Sequence, residues 1–214
     1  MDSNQIEKKV QQVYEDLSGQ FLKLESGLGR RRMKRTEISF HSQIRYLGHL
    51  ALKTQGMHGD ILEIGVWKGF SLSLMTRLSN SSTKCIGVDA CEFEHQFREI
   101  EFFRKRIYSR ATVIPLPSKL ALNAVIGLSS ELKILHIDGS HFFRDVLLDF
   151  MLYSPLVVPG GYVVFDDYGD STHSPQVKPC VDLICESQLL EDFQILGQPE
   201  GFPNSFVLQR TSSK

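Results

Sequence analysis

Asp60-Ile61-Leu62-Glu63-Ile64-Gly65-Val66-Trp67-Lys68-Gly69-Phe70-Ser71 is the stretch from which the architecture is read. An apolar run, Ile61–Val66, meets two glycines, and Ser71–Leu78 after them is long enough for a helix. Strand, glycine turn and helix form the opening unit of an open α/β sheet, where the turn lets backbone approach a ligand closely. Downstream the unit repeats. Apolar runs at Cys85–Val88, Thr112–Pro115, Ile134–Ile137, Tyr162–Phe165, Phe193–Leu196 and Asn204–Leu208 read as strands. Glu94–Tyr108, Lys119–Leu128, Phe142–Tyr153 and Val177–Leu190 read as helices between them. Continuous apolar strands alternating with helices predict a parallel sheet covered on both faces. Only a short Gly/Pro-rich link, Gly197 to Pro203, joins the last two runs, so they are expected to pair antiparallel.

Upstream of Asp60 the pattern is helical. Ile6, Val10, Val13, Leu17, Phe21 and Leu24 recur at spacings of three and four, which predicts one amphipathic helix over residues 1–28. Its apolar face fits either its own domain or a second subunit, which allows a homo-oligomer. A basic cluster, Arg30, Arg31, Arg32, Lys34 and Arg35, follows; it reads as a solvated loop or as a lid that clamps an anionic group. A second helix is expected from Ser42 to Lys53. The chain divides into a helical extension or lid, residues 1–55, and a sheet domain, residues 56–214.

The 214 residues carry 24 basic and 25 acidic side chains, a formal charge of −1. That balance speaks against a protein that coats nucleic acid, which needs a basic excess. A hydrophobic share of 42% and a charged share of 23% are ordinary for a globular chain and exclude a disordered or collagen-like one. No apolar run reaches the ~20 residues of a membrane span, and the polar start, Met1 to Lys9, has no signal core. Cys85, Cys91, Cys180 and Cys185 have no C-x-x-C or zinc spacing and read as structural thiols of a cytoplasmic protein.

Glu63, Gly65 and Gly69 mark the first turn. The spacing is not G-x-G-x-x-G, and no P-loop Lys-Ser/Thr follows, so a ligand with an amino acid and a ribose fits better than one held by its phosphates. Asp89 closes the second strand and is placed to accept hydrogen bonds from ribose hydroxyls; capping of the next helix is the alternative. The E-x-G-x-x-x-G element, this aspartate and seven strands ending in an antiparallel hairpin resemble a class I S-adenosylmethionine-dependent methyltransferase, from about residue 55 onward. The resemblance implies a Rossmann-like doubly wound sheet with its last strand antiparallel. It sets Gly65 and Glu63 by the methionine part of the cofactor, Asp89 on the ribose and Ser118 near the adenine. Trp67 and Phe70 are either core or lining of the methionine pocket.

Two further strand ends carry acids: Asp138 in Asp-Gly-Ser-His, and Asp166-Asp167 after Gly-Gly-Tyr-Val-Val-Phe. Neighbouring strands bring Asp138, Asp166 and Asp167 to the ligand-binding edge, where they repel unless a cation neutralises them. Oxygen donors without cysteine suit Mg²⁺. Alternation points Asp167 away from Asp166 unless the backbone curls at the strand end. His141, three residues after Asp138, is placed to take the proton of a hydroxyl beside the metal. Asp138 thereby serves cofactor, metal and catalysis. His136, inside the strand, reads as core.

This cluster resembles the branch that contains macrocin- and mycinamicin-type sugar O-methyltransferases and cephalosporin-hydroxylase-like proteins. In that branch the matching Asp138, Asp166 and Asp167 bind Mg²⁺ and His141 is the base. Ser140 stands where the branch often has an acid. The catechol-type relatives have Asp-Asn and Lys at the positions of Asp166-Asp167 and His141. The resemblance implies a Mg²⁺-dependent O-methyltransferase acting on a small hydroxylated molecule, favouring a sugar moiety of a natural product or glycolipid. A phenol or catechol acceptor, or N-methylation, is the alternative. A non-catalytic cofactor-binding partner subunit is another, against which the complete set Asp138, His141, Asp166 and Asp167 counts. Nucleic-acid methylation has less support, since the chain lacks an Asn/Asp-Pro-Pro-Tyr motif.

Overall fold

A computed structural model describes residues 1–27 and 44–211. The elements in chain order are α1 (Ser3–Gly27), α2 (Arg45–Lys53), β1 (Asp60–Ile64), α3 (Phe70–Leu78), β2 (Cys85–Val88), α4 (Gln96–Ile107), β3 (Thr112–Ile114) and α5 (Ser118–Leu128). They continue with β4 (Leu132–Ile137), α6 (Phe143–Tyr153), β5 (Val157–Phe165), α7 (Val177–Glu186), β6 (Phe193–Gly197) and β7 (Phe206–Arg210). The seven strands form one sheet in the order β3-β2-β1-β4-β5-β7-β6. β1 pairs parallel with β2 and β4, β2 with β3, and β4 with β5, while β7 runs antiparallel between β5 and β6. This is the expected Rossmann-like, doubly wound class with the last strand reversed.

Alternation along the strands supplies two cores. Ile61, Ile134, Tyr162, Val164 and Val207 face a layer built from α1 to α4. Leu62, Ile64, Leu135, Ile137, Val163 and Phe165 face α5, α6 and α7. Glu63 and His136 are register partners on the first face. That face therefore carries a polar pair among apolar neighbours.

The fate of α1 bears on the expectation of a lid or second subunit. Val10, Leu17 and Phe21 are fully buried, and Tyr14 nearly so, in the core shared with α2, α3 and α4. Phe21 stacks on Phe103 at 4.8 Å between centroids and meets Phe70 edge-on at 5.3 Å. Burial at ~1.5–3 kcal/mol per large side chain makes this docking worth about as much as a small domain's whole net stability. α1 is thus a layer of the fold. Its apolar face is covered within the chain, so it no longer argues for an oligomer. The basic cluster at residues 30–35, and with it the lid reading, lies outside the described residues.

Element ends differ from expectation where local chemistry is ambiguous. β5 begins at Val157, five residues before the apolar run, because Pro159-Gly160-Gly161 is a bulge inside a strand: the β4–β5 register shifts between Leu132 and Ile134. Helix α7 stops at Glu186, and Gln188–Leu190 is a separate 3₁₀ turn whose Leu189 amide donates to the Ser187 hydroxyl. Helix α4 starts at Gln96, two residues late, after left-handed His95.

Candidate active site

The strand ladder continues past the ends of the strands and sets the site. The Asp138 amide donates to Ile64 O at 2.8 Å, Asp166 N to Ile137 O at 3.0 Å, and Gly65 N to Val88 O at 2.8 Å. Four chain segments are thereby locked side by side. Gly65 has φ +89°, and a Cβ there would lie 1.9 Å from the carbonyl oxygen of Asp138. Only glycine lets the first turn lie against the end of β4. Gly69, at φ +84°, has the same restriction: a Cβ would sit 2.0 Å from the Tyr108 hydroxyl, which donates to Lys68 O at 3.1 Å. Lys68 also pairs with buried Glu25 of α1, so the helical layer holds the turn from outside.

Asp89 is buried and accepts four hydrogen bonds. Val66 N and Trp67 N reach Oδ2, both at 2.9 Å; Cys91 N and Gln96 Nε2 reach Oδ1, at 2.7 and 2.9 Å. A carboxylate offers about four acceptor sites, so Asp89 is saturated. Here it shapes the first turn, and a ribose would have to replace one of these donors. Trp67, φ +50°, is 55% exposed and meets exposed Phe93 edge-on at 5.9 Å, so Trp67 is not core, whereas Phe70 is.

The acids gather in two overlapping groups. Donor atoms of His136, Asp138 and Asp166 lie within 4.8 Å of one another, as do those of Asp138, His141 and Asp167. Asp138 belongs to both. The curl at the end of β5 is real: Asp167 has φ +61°, which returns its side chain to the edge, with Oδ2 3.1 Å from His141 Nε2. Ser174, 1% exposed, completes the second group. Its hydroxyl donates to Asp167 Oδ2 at 2.8 Å and lies 2.9 Å from His141 Nδ1. His141 is thus held at both ring nitrogens, Nδ1 beside the Ser174 hydroxyl and Nε2 facing Asp167 Oδ2, so a proton on Nε2 is held by that carboxylate.

Charge is in excess here. Burial first, then Asp166 and Asp167, holds the Asp138 carboxyl well above the usual carboxylate range. Burial also raises Asp166, and Asp167 adds to this, while His136 opposes it. Burial alone would lower His136, but the hydrogen bond and charge of Glu63, with Asp166 and Asp167, raise it. His136 Nδ1 lies 2.9 Å from Glu63 Oε1, and the other Glu63 oxygen is buried without a partner. A divalent cation fits this donor set, because it would neutralise carboxylates that otherwise resist ionising together.

The methyltransferase-domain family matches residues 62–168, the segment that carries both the first turn and this cluster. The chain belongs to this methyltransferase family and is an S-adenosylmethionine-dependent methyltransferase. It is 32% identical over 161 residues to an uncharacterized protein of Acanthamoeba polyphaga mimivirus, covering 68% of each chain. Solved structures share its fold. The O-methyltransferase NovP superposes with a TM-score of 0.63 at 20% identity, over 79% of this chain and 80% of that one. TomG of Streptomyces achromogenes, an O-methyltransferase involved in tomaymycin synthesis and solved with S-adenosylmethionine, gives 0.64 at 15% identity over 92% and 89%. The TDP-rhamnose 3'-O-methyltransferase of calicheamicin biosynthesis gives 0.60 at 14% over 98% and 96%.

The methyltransferase places the remaining expected residues as follows. Glu63 is fully buried, with one carboxylate oxygen on His136 Nδ1. Ser118 opens α5, its carbonyl accepting from the Tyr153 hydroxyl. Ser140, at the position that departs from the branch, donates to Asp145 Oδ2, in the first turn of α6, at 2.8 Å. The polar loop after β5 is pinned too: Asp170 accepts from Thr172 N and His173 N, and Tyr168 is buried with its hydroxyl on Asp182. Sequence reasoning missed Ser174 and treated His136 as plain core. A signal for His136 existed: it is polar in an apolar strand, two residues before Asp138 on the same face. Ser174 had none, since its contacts depend on the loop's path. A cavity of about 450 Å³ at the opposite end of the sheet, lined by His58, Asp60, Thr83, Lys84, Ser129 and Glu131, holds none of these groups. No described helix is long and apolar enough to cross a membrane.

Proposed function

We propose that the enzyme transfers the methyl group of S-adenosylmethionine to a hydroxyl of a small molecule, with a sugar moiety of a natural product or glycolipid as the favoured acceptor. The observation that carries this reading is the Asp138–His141–Asp167–Ser174 arrangement next to the Gly65 turn. Cofactor turn and proton acceptor are adjacent because Gly65 packs on the backbone of Asp138. Gly65 and Gly69 keep side chains away from the turn, and Asp89 fixes its amides. Asp138, with Asp166 or Asp167, would hold a divalent cation, which when bound supplies positive charge that acidifies a nearby hydroxyl. His141 takes the proton. Asp167, 3.1 Å from Nε2, stabilises the imidazolium that results, and Ser174, beside Nδ1, holds the ring's orientation. Methyl transfer is then displacement at the sulfonium carbon by the hydroxyl oxygen.

Asp167 and His141, rather than Asn and Lys, favour the sugar over the catechol acceptor. Four free cysteines support a reducing, cytoplasmic setting. The test is release of S-adenosylhomocysteine across a panel of sugar nucleotides, glycosides, catechols and phenols. Turnover that depends on a hydroxylated sugar, and that falls at least about 100-fold in His141→Ala, supports the reading. Turnover only with amines, or His141→Ala with unchanged rate and pH profile, would overturn it.

A further inference from the structure

Resting on the cation seat just described, we propose that the seat includes an imidazole nitrogen, that of His136 backed by Glu63, and therefore selects a transition-metal ion such as Mn²⁺, Fe²⁺ or Co²⁺ over Mg²⁺.

Each three-donor group that the strand ends assemble includes a nitrogen beside the expected carboxylates. Among the described residues, two groups bring three donors within 4.8 Å, and each consists of two carboxylates and one histidine. His136 belongs to the deeper one. Its position follows from register: Glu63 on β1 and Val164 on β5 flank it, and Asp138 and Asp166 lie two residues further along the same face. Row and column thus place Glu63, His136, Asp138 and Asp166 together, independently of any side-chain rotamer.

The Glu63–His136 contact is the second observation. Both side chains are buried, at 0% and 1% exposure, and Nδ1 lies 2.9 Å from Oε1. With Nδ1 given to a carboxylate, Nε2 is the nitrogen left for a cation. A carboxylate that holds the far nitrogen of a ligating histidine fixes the ring and raises its basicity, an arrangement recurrent behind metal sites. A purely structural buried pair explains less. Ion pairs in a core are commonly no better than apolar residues of the same volume, and this one leaves Glu63 Oε2 buried without a partner. Imidazole is a borderline donor that suits first-row transition ions, whereas Mg²⁺ takes oxygen ligands and keeps its waters.

The experiment is electron spin-echo spectroscopy of the metal-stripped full-length protein loaded with Mn²⁺ alone. The expected result is a ¹⁴N coupling typical of directly bound imidazole, retained in His141→Gln and lost in His136→Gln. Glu63→Gln should weaken Mn²⁺ binding by about 10- to 100-fold. Mg²⁺ should displace Mn²⁺ only at large excess. Bound Mn²⁺ without nitrogen coupling overturns the inference and leaves the cation-assisted reaction standing. Coupling that vanishes in His141→Gln moves the nitrogen to the other group and also overturns it. Failure to bind Mn²⁺ at all removes the cation seat itself. If His136→Gln does not fold, the wild type and His141→Gln decide between these results.

Discussion

Asp149 on α6 is 2% exposed, and one of its oxygens has no partner. Burial raises its carboxyl from the ordinary 3.8 to about 6; Ser118 lowers it only in part, and Asp145 adds to the rise. The substitution Asp149→Asn removes the charge and keeps the shape. A carboxyl that titrates near 6 when folded and near 3.8 when unfolded binds more protons in the folded chain across that window. Its effect is therefore a loss of stability as pH rises. At about pH 7.5 the ionised group costs about 3 kcal/mol, at ~1.4 kcal/mol per tenfold, and at about pH 4.5 about 1 kcal/mol. Asparagine leaves an amide N–H where Asp149 left an orphan oxygen, a cost that does not vary with pH. The stability of Asp149→Asn relative to wild type should thus improve by about 2 kcal/mol between pH 4.5 and 7.5. Urea unfolding of both proteins at the two pH values measures this, and all other groups cancel in the comparison. A gap that is the same at both pH values would refute the assignment of a charge-burial cost to Asp149.

Three substitutions probe the turn and the cluster. Gly65→Ala should abolish cofactor binding, measured by calorimetry with S-adenosylhomocysteine, because its Cβ meets backbone at 1.9 Å and φ is positive; binding within about threefold of wild type contradicts this. Tyr108→Phe loses the bond to Lys68 O and should cost about 1 kcal/mol in thermal or urea unfolding while leaving the Gly69 turn folded. Ser174→Ala removes the hydroxyl that holds both Asp167 Oδ2 and His141 Nδ1, leaving only their direct contact, and should lower kcat about 10- to 100-fold with little change in cofactor affinity.

What the sequence disclosed, and what it did not, follows from how local each feature is. Strand β1, the Gly65–Gly69 turn, α3 and β2 were legible because apolar runs and glycines encode them within a dozen residues. The antiparallel end was legible from the shortness of the Gly197–Pro203 link, but not the insertion of β7 between β5 and β6, which is a matter of sheet edges. The start of β5 was not legible, because Pro159-Gly160-Gly161 interrupts the apolar run that marks the strand. The positions of Asp138 and Asp166 could be read from strand ends. The pairing of His136 with Glu63 needed the β1–β4 register, and the reach of Ser174 to Asp167 and His141 needed the path of a loop.

Cation-assisted proton removal beside the Gly65 turn is reached most directly by one measurement. Release of S-adenosylhomocysteine is followed with a hydroxylated sugar acceptor in metal-stripped protein, before and after a divalent ion is restored, alongside Asp138→Ala. The account predicts negligible turnover without the ion, recovery of wild-type turnover on its return, and no recovery in Asp138→Ala. Full turnover in the metal-stripped protein, or in Asp138→Ala, would contradict it.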